Sequence, residues 1–430
     1  MIKKIWFKYS AIALIIGFYL IVSVQGILPY CNILPLHGDV VQTADSSFSW
    51  KRWGNENYQK QKEKYLNENF GFRQLFVRLH NQIYFSIFNK AFANGVIVGK
   101  NNYLYEENYL EAVTGKNLLP DELIEAKVDS FIKTRDQLRK NGTELLLILA
   151  PGKGSFYPEF IPNSYGKPVA KSNYSKYRDQ FLKTDLAMID CNSWFKAMKD
   201  SSTYPLYPKT GIHWSQYGVS LVVDSLIRFI EKNYNVTLPE RKLEKLKLSK
   251  KDNIVDRDIE EGMNLLFPIS RPMMAYPKYI YRDDQPKIFS VLTIADSFYW
   301  QIFGDGTSEH LFKDPAFYYY FERAYYINDA EKNIADLNVV NEIKKYNLVL
   351  FIVTEANLPK FDFGFSKAYL SKNSISSAEL EMKVLEKIHA IKETPEWLAQ
   401  IKAKAIKNNK SLEQVLREDA KWVVEQELKK

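Results

Sequence analysis

Three apolar runs constrain this chain more than any other feature. They lie in "TELLLILAPGKGSFYP" (143–158), "PKIFSVLTIADSFYWQIF" (286–303) and "YNLVLFIVTEANL" (346–358). None of them alternates apolar with polar residues, and each ends in a polar turn. A strand that is apolar on both faces belongs in a parallel sheet with helices packed on either side. "LAMIDCN" (186–192) adds a shorter strand. Helical spacing fills the intervals: "LIEAKVDSFIKTRDQLRKNG" stops at Gly142, and the segment from Ser215 to Asn233 is amphipathic with Ser215 as its N-cap. "NGVIVGKNNYLYEE" reads as a strand or hairpin. The expected fold class is α/β, a three-layer sandwich around a mainly parallel sheet.

The 430 residues leave room for two or three domains. Lys3, Lys4 and Lys8 precede an uncharged apolar run from Tyr9 to about Tyr30, and about twenty such residues span a bilayer core as a helix. Ser23-Val24-Gln25-Gly26 is a poor match to a cleavage site, which favours a retained anchor over a cleaved signal. With the lysines ahead of the span, the N-terminus is expected in the cytoplasm. The rest would lie across the membrane, which in a bacterium means a single-pass inner-membrane protein with a periplasmic domain. The expected organisation is an anchor (1–30), a linker and helical stalk (31–95), a main domain (96–370) with an excursion at 235–285, and C-terminal helices (371–430). In the tail, Thr394-Pro395 and Ser411 mark helix starts, and Trp422 is expected to pack.

The net charge of +8 comes from lysines spread along the chain, with no basic stripe interleaved with aromatics. That pattern excludes nucleic acid as the expected partner. Cys31 and Cys191, the two cysteines, lack metal-ligand spacing and read as free thiols, so neither a metal nor another cofactor is expected.

In sheets of this kind, ligands bind beyond the carboxyl ends of the strands. There, "ADSF" puts Ser297 in a tight strand-to-helix turn whose backbone N–H groups can hold an oxyanion. "PGK" brings Lys153, "TEAN" brings Glu355 and Asn357, and "GIHWS" places His213 in a loop just ahead of a helix. A serine needs a base to become a nucleophile. His37 falls in the linker, His80 and His389 in outlying helices, and His310 in a polar loop, so His213 pairs with Ser297. Taken singly, Ser297 reads more readily as a helix cap, His213 as a packing or hydrogen-bonding residue and Lys153 as a solvated loop residue, and Glu355 and Asn357 suit plain turns; their joint position at strand ends is what favours a site. Trp194, Trp214, Tyr299 and Trp300 lie near these motifs and suit sugar stacking, although core packing explains such residues as well.

"ADSF" resembles the nucleophile block of SGNH hydrolases, with Ala295 in place of Gly. "GIHWS" resembles the histidine block of the alginate O-acetyltransferase (AlgX/AlgJ-like) family, in which the histidine block precedes the serine block, as here. "VIVGKNNYLYEENYL", "LAPGKGSFYPEFIP" and "VTEANL" fit the same order, over roughly residues 50–365. The resemblance implies an SGNH-like fold and transfer of an acetyl group onto a polysaccharide hydroxyl. Ser297 would carry the acetyl group, His213 would act as base, and Trp214 and Trp300 would touch substrate. An integral membrane O-acyltransferase would supply the acyl group. The family's acid would stand at position 211, which here is Gly211. Either a Ser–His dyad suffices, or another carboxylate substitutes (Asp296, Glu355 or Asp190), or the site only binds. An esterase or deacetylase and a non-catalytic subunit of a glycan machine are the alternatives.

Overall fold

The computed structural model describes residues 2–38, 43–251, 254–282, 286–371 and 377–427. Within the expected C-terminal segment (371–430), residues 372–376 and the last three residues fall outside these. In chain order, α1 (Ile2–Ile27) is followed by α2 (Glu56–Asn69) and α3 (Arg73–Phe88). A small hairpin follows, β1 (Val96–Val98) and β2 (Leu104–Glu106), then α4 (Asp121–Lys140), β3 (Glu144–Ala150) and β4 (Ala187–Asp190). Next come α5 (Gln216–Tyr234), β5 (Arg241–Ser249), the short α6 (Asp258–Met263), β6 (Met274–Tyr281) and β7 (Ser290–Ala295). The domain closes with β8 (Lys313–Tyr319), β9 (Arg323–Tyr326), β10 (Lys332–Asn333) and β11 (Leu348–Thr354). Helices α7 (Ser377–Glu393), α8 (Pro395–Lys407) and α9 (Leu412–Glu427) form the tail.

The central sheet has the order β10-β9-β8-β7-β11-β3-β4. The five strands from β8 to β4 run parallel, and β9 and β10 add an antiparallel edge. The apolar runs explain this. In β3, Leu146 and Ile148 face one layer while Leu145, Leu147 and Leu149 face the other. On the first face α5 packs Val219, Val222, Val223, Leu226 and Ile230. On the second face α4 packs Leu123, Val128, Phe131 and Leu138. Each such side chain, once buried, contributes roughly 1.5–3 kcal/mol from apolar area removed from water. The expected α/β sandwich with a mainly parallel sheet is the observed one.

Parallel register aligns the strand ends. Thr354 pairs with Ala150, Ile352 with Ala295, and Leu149 with Asp190. The turns after β7, β11, β3 and β4 therefore share one rim. The N-cap of α5 is Ser215, as expected: its hydroxyl accepts from Gly218 N–H at 3.0 Å and donates to Pro205 O at 2.7 Å. This fixes the start of α5 three residues beyond His213.

The Lys-rich stretch after residue 235 forms an antiparallel ribbon, with Arg241 opposite Tyr281 and Ser249 opposite Met274. Between its strands the chain returns to the rim as α6. N-terminal elements grip this helix. Asn264 and His37 exchange two hydrogen bonds, His37 Nε2 lies 2.8 Å from Glu261, and Asn81 of α3 donates to Met263 O. In the tail, α7–α9 build a core of their own around Ile391, Ile401, Leu416 and Val424. Trp422, expected to pack, is exposed instead, because the apolar face of α9 presents Val415, Leu416, Ala420 and Val424 to that core.

Candidate active site

Ser297 opens a short 3-10 turn directly after β7, and Asp296 caps that turn by accepting from Phe298 N–H. His213 reaches Ser297 from the loop before α5: its Nε2 lies 3.0 Å from Ser297 Oγ. The pair read from the strand ends is thus in contact. The other imidazole nitrogen, Nδ1, lies 2.6 Å from Asp258 Oδ2. The second Asp258 oxygen accepts from the backbone N–H of Ile212 at 2.9 Å and of Ile259 at 2.7 Å. A carboxylate at Nδ1 holds the proton there and leaves the Nε2 lone pair for the serine hydroxyl. The His213 and Asp258 side chains remain 17% and 29% exposed, so the row sits at the surface and is open to substrate.

Asp258 corrects the expected acid. None of the three carboxylates proposed from sequence touches His213. Asp296 turns away into the sheet rim, where its Oδ2 accepts from Thr354 N–H, Thr354 Oγ1 and Asn357 Nδ2. Glu355 is buried against the loop after β3 and meets Asn192. Asp190 accepts from Tyr174 and Arg178. The reason for glycine at 211 is steric. A Cβ there would lie 2.5 Å from Val255 O and 2.8 Å from the Asp256 carbonyl carbon. The segment that brings Asp258 occupies the space a side chain at 211 would need.

Lys153 is not in a solvated loop. It is fully buried, and its Nζ donates to Lys209 O at 2.9 Å and Gly211 O at 2.5 Å, tying the loop after β3 to the histidine loop. Burial pushes its ammonium down to about 7, against the upward pull of Asp258, Glu106 and Asp256. A neutral amine still has two N–H groups for the two carbonyls. Burial also raises the Glu106 carboxyl, and Asp258 adds to the effect while His213 and Lys153 oppose it. Asp256 is pushed up to about 6, mainly by burial. Glu355 and Asn357 are buried members of the rim rather than plain turn residues.

Trp214 cannot stack on a sugar. It is wholly buried, edge-on to Phe298 at 5.3 Å, where it braces the residue after the serine. Tyr299 is buried likewise. Trp300 and Trp194 keep partial exposure, and the Trp300 ring is walled by Phe317, Tyr319 and Tyr325. His310 stacks on Tyr281 at 4.4 Å.

Sequence reasoning missed a second residue as well. Tyr320 follows β8 with φ +48°, and its hydroxyl lies near Asn357 Nδ2 at 3.4 Å. Burial raises that hydroxyl, while hydrogen bonding to Asn357 and Ser297 draws it back. Nothing in "FYYYFE" distinguishes this tyrosine from its neighbours. Asp258 lies 45 positions after His213, and no fixed spacing points to it.

Two outcomes follow from this geometry. Asp258→Asn is expected to slow the labelling of Ser297 by a sulfonyl fluoride by about a hundredfold or more, the scale of a disabled general base. Gly211→Asp, which puts a carboxylate two residues before the histidine, is expected to slow it as well, since the new side chain displaces residues 255–256. Time-resolved intact mass reads both, and a Gly211→Asp rate equal to wild type would contradict the steric account. The second outcome concerns pH. Lys153 binds its proton less tightly folded (about 7) than unfolded (near 10.5), so unfolding takes up a proton between these values. Stability should therefore rise with pH from about 7 to about 9. Thermal melts in detergent should show that slope in the wild type and a weaker one in Lys153→Met.

Residues 96–253 match the family described as "SGNH hydrolase-like domain, acetyltransferase AlgX". The matched span includes His213 and stops short of Asp258 and Ser297. Among curated proteins, the chain is similar to a "Probable alginate O-acetylase AlgJ" of Pseudomonas syringae pv. tomato, 26% identical over 173 residues, covering 40% of this chain and 42% of that one. A protein of the same description from Pseudomonas aeruginosa is 24% identical over 179 residues, covering 41% and 43%. The chain thus spans about two fifths of the length of the curated relatives it matches. Among solved structures, the O-acetyltransferase domain of Pseudomonas putida AlgJ overlaps 65% of this chain and 99% of its own, with 15% identity and a TM-score of 0.44. By sequence, the similarity of residues 96–253 to the SGNH hydrolase-like domain described for the acetyltransferase AlgX covers the histidine loop and less than half of the chain.

Proposed function

We propose that the chain is a membrane-anchored O-acetyltransferase that acts on a polysaccharide through an acyl-Ser297 intermediate. The observation that carries the reading is the row Ser297–His213–Asp258, with contacts of 3.0 and 2.6 Å. His213 Nε2 takes the proton as Ser297 Oγ attacks the acyl carbonyl, and Asp258 stabilises the imidazolium that forms. The backbone N–H of Ser297 and the Tyr320 hydroxyl are the donors proposed for the oxyanion. His213 then returns its proton to the departing group, and the ester remains on Ser297. In the second half a sugar hydroxyl gives its proton to Nε2 and attacks the ester, the Ser297 Oγ–acyl bond breaks, Nε2 returns the proton to Ser297 Oγ, and the acylated sugar leaves.

The polysaccharide acceptor is supported by the name of the curated relatives, alginate O-acetylase. The anchor is supported by α1, where Trp6–Ile27 is long and apolar enough to cross a bilayer and 6% buried. With Lys8 as its last charge, the span would leave the N-terminus in the cytoplasm and the domain in the periplasm. A membrane-embedded O-acyltransferase is the proposed source of acyl groups. Trp300, with its remaining exposed edge, is the aromatic still placed to meet a sugar.

The test is intact mass of the full chain in detergent after exposure to an activated acetyl ester. An acetyl adduct mapped to Ser297, absent in Ser297→Ala and His213→Ala, is expected. Added oligosaccharide should discharge the adduct faster than water does. Discharge at the same rate in water alone would indicate an esterase. No adduct, with the circular dichroism spectrum unchanged, would indicate a binding subunit.

A further inference from the structure

Helix α3 meets the protein through Phe85, which enters the core, and through three polar side chains: Asn81 donates to Met263 O, Arg78 to Pro35 O and Leu265 O, and Gln82 accepts from Phe267 N–H. Its outward face carries Leu75, Leu79, Ile83 and Ile87, one every four residues, exposed by 40, 44, 43 and 67%. Phe88 and Phe92 are exposed as well, at 62 and 47%, with both rings against Tyr84. A helix on a solvated surface presents the opposite arrangement, with its apolar stripe toward the core. A continuous exposed apolar stripe of this length marks an interaction surface.

What covers the stripe follows from what already touches its end. The corner between α2 and α3 lies against α1: a Cβ on Gly71 would stand 2.1 Å from Val22 O and 2.7 Å from Gly26 N. The Phe18 and Phe76 rings are 5.8 Å apart, and those of Tyr30 and Phe72 are 6.1 Å apart. Val22 and Gly26 sit five residues and one residue before the end of the candidate span at Ile27. At 1.5 Å per residue, that places the corner roughly 2–8 Å inside the outer end of the span. This is the depth at which the apolar face of an interfacial helix rests.

We infer that the outward face of α3 docks into the outer leaflet of the bilayer beside α1, so that the domain lies on the membrane rather than swinging from a tether. The inference rests on the reading of α1 as an anchor. It also gives the contact a consequence for the site. The inner face of α3 holds residues 263–267, immediately after α6, and α6 begins with Asp258. The helix that lies on lipid therefore supports the segment that supplies the acid, and the reactive row is held at a fixed height above the membrane.

The experiment uses the full chain with Cys31→Ser in vesicles of phosphatidylethanolamine and phosphatidylglycerol, leaving only the buried Cys191. A nitroxide is attached in turn at Leu14→Cys in α1, Leu79→Cys in α3, and Lys402→Cys in α8. Collision with oxygen reports lipid, and collision with a water-soluble nickel chelate reports water. The expected result is oxygen access with loss of nickel access at positions 14 and 79, and the reverse at 402. Position 14 in lipid with position 79 in water would overturn the docking and leave the anchor standing. Water access at position 14 would overturn the anchor, and the docking with it.

Discussion

The site depends on one close approach. The backbone of Val255 and Asp256 lies against Gly211, near enough that a single added carbon would meet a carbonyl oxygen at 2.5 Å. Because that approach is possible, the Asp258 carboxylate arrives beside His213 and accepts from Ile212 N–H and Ile259 N–H as well as meeting Nδ1. An acid two residues before the histidine and an acid carried in by a later segment compete for one volume. This chain has taken the second arrangement, so the glycine is its requirement rather than a sign of decay.

Around that contact the rim is held by polar groups with defined partners. Asp296 joins the end of β7 to the end of β11 through three donors. Lys153 joins the loop after β3 to the histidine loop through two carbonyls. Both side chains are fully buried, and a buried donor or acceptor left without its partner costs about 1–3 kcal/mol. These ties keep the serine and imidazole in register although they come from loops 84 positions apart in the chain. Trp214 adds an apolar brace behind Phe298.

The parts of this design that were legible in the sequence are those with a local signature. Continuous apolar runs reveal a sheet covered on both faces, and residues at the ends of such strands fall on one rim by topology alone. That logic reaches Ser297 and His213. It fails where the signal is tertiary. Asp258 sits in a charged stretch between two ribbon strands, among other acidic residues with no distinguishing pattern. Lys153 reads as a loop residue because its turn is polar, yet the turn folds beneath the histidine loop. Trp214 reads as exposed because it neighbours a catalytic motif, whereas the helix start at Ser215 rotates it into the core. Tyr320 is one of five consecutive aromatics, "FYYYF", and shares a left-handed backbone with Phe321; only its contact with Asn357 selects it.

The central claim is that Asp258 fixes the proton on His213 Nδ1. One-dimensional proton spectroscopy in cold water reads it directly, since a proton held between an imidazole and a carboxylate resonates far downfield of other exchangeable protons. The account predicts such a resonance in the wild-type chain, lost in both His213→Ala and Asp258→Asn and retained in Asp296→Asn. A downfield resonance that survives Asp258→Asn, or disappears only in Asp296→Asn, would contradict it.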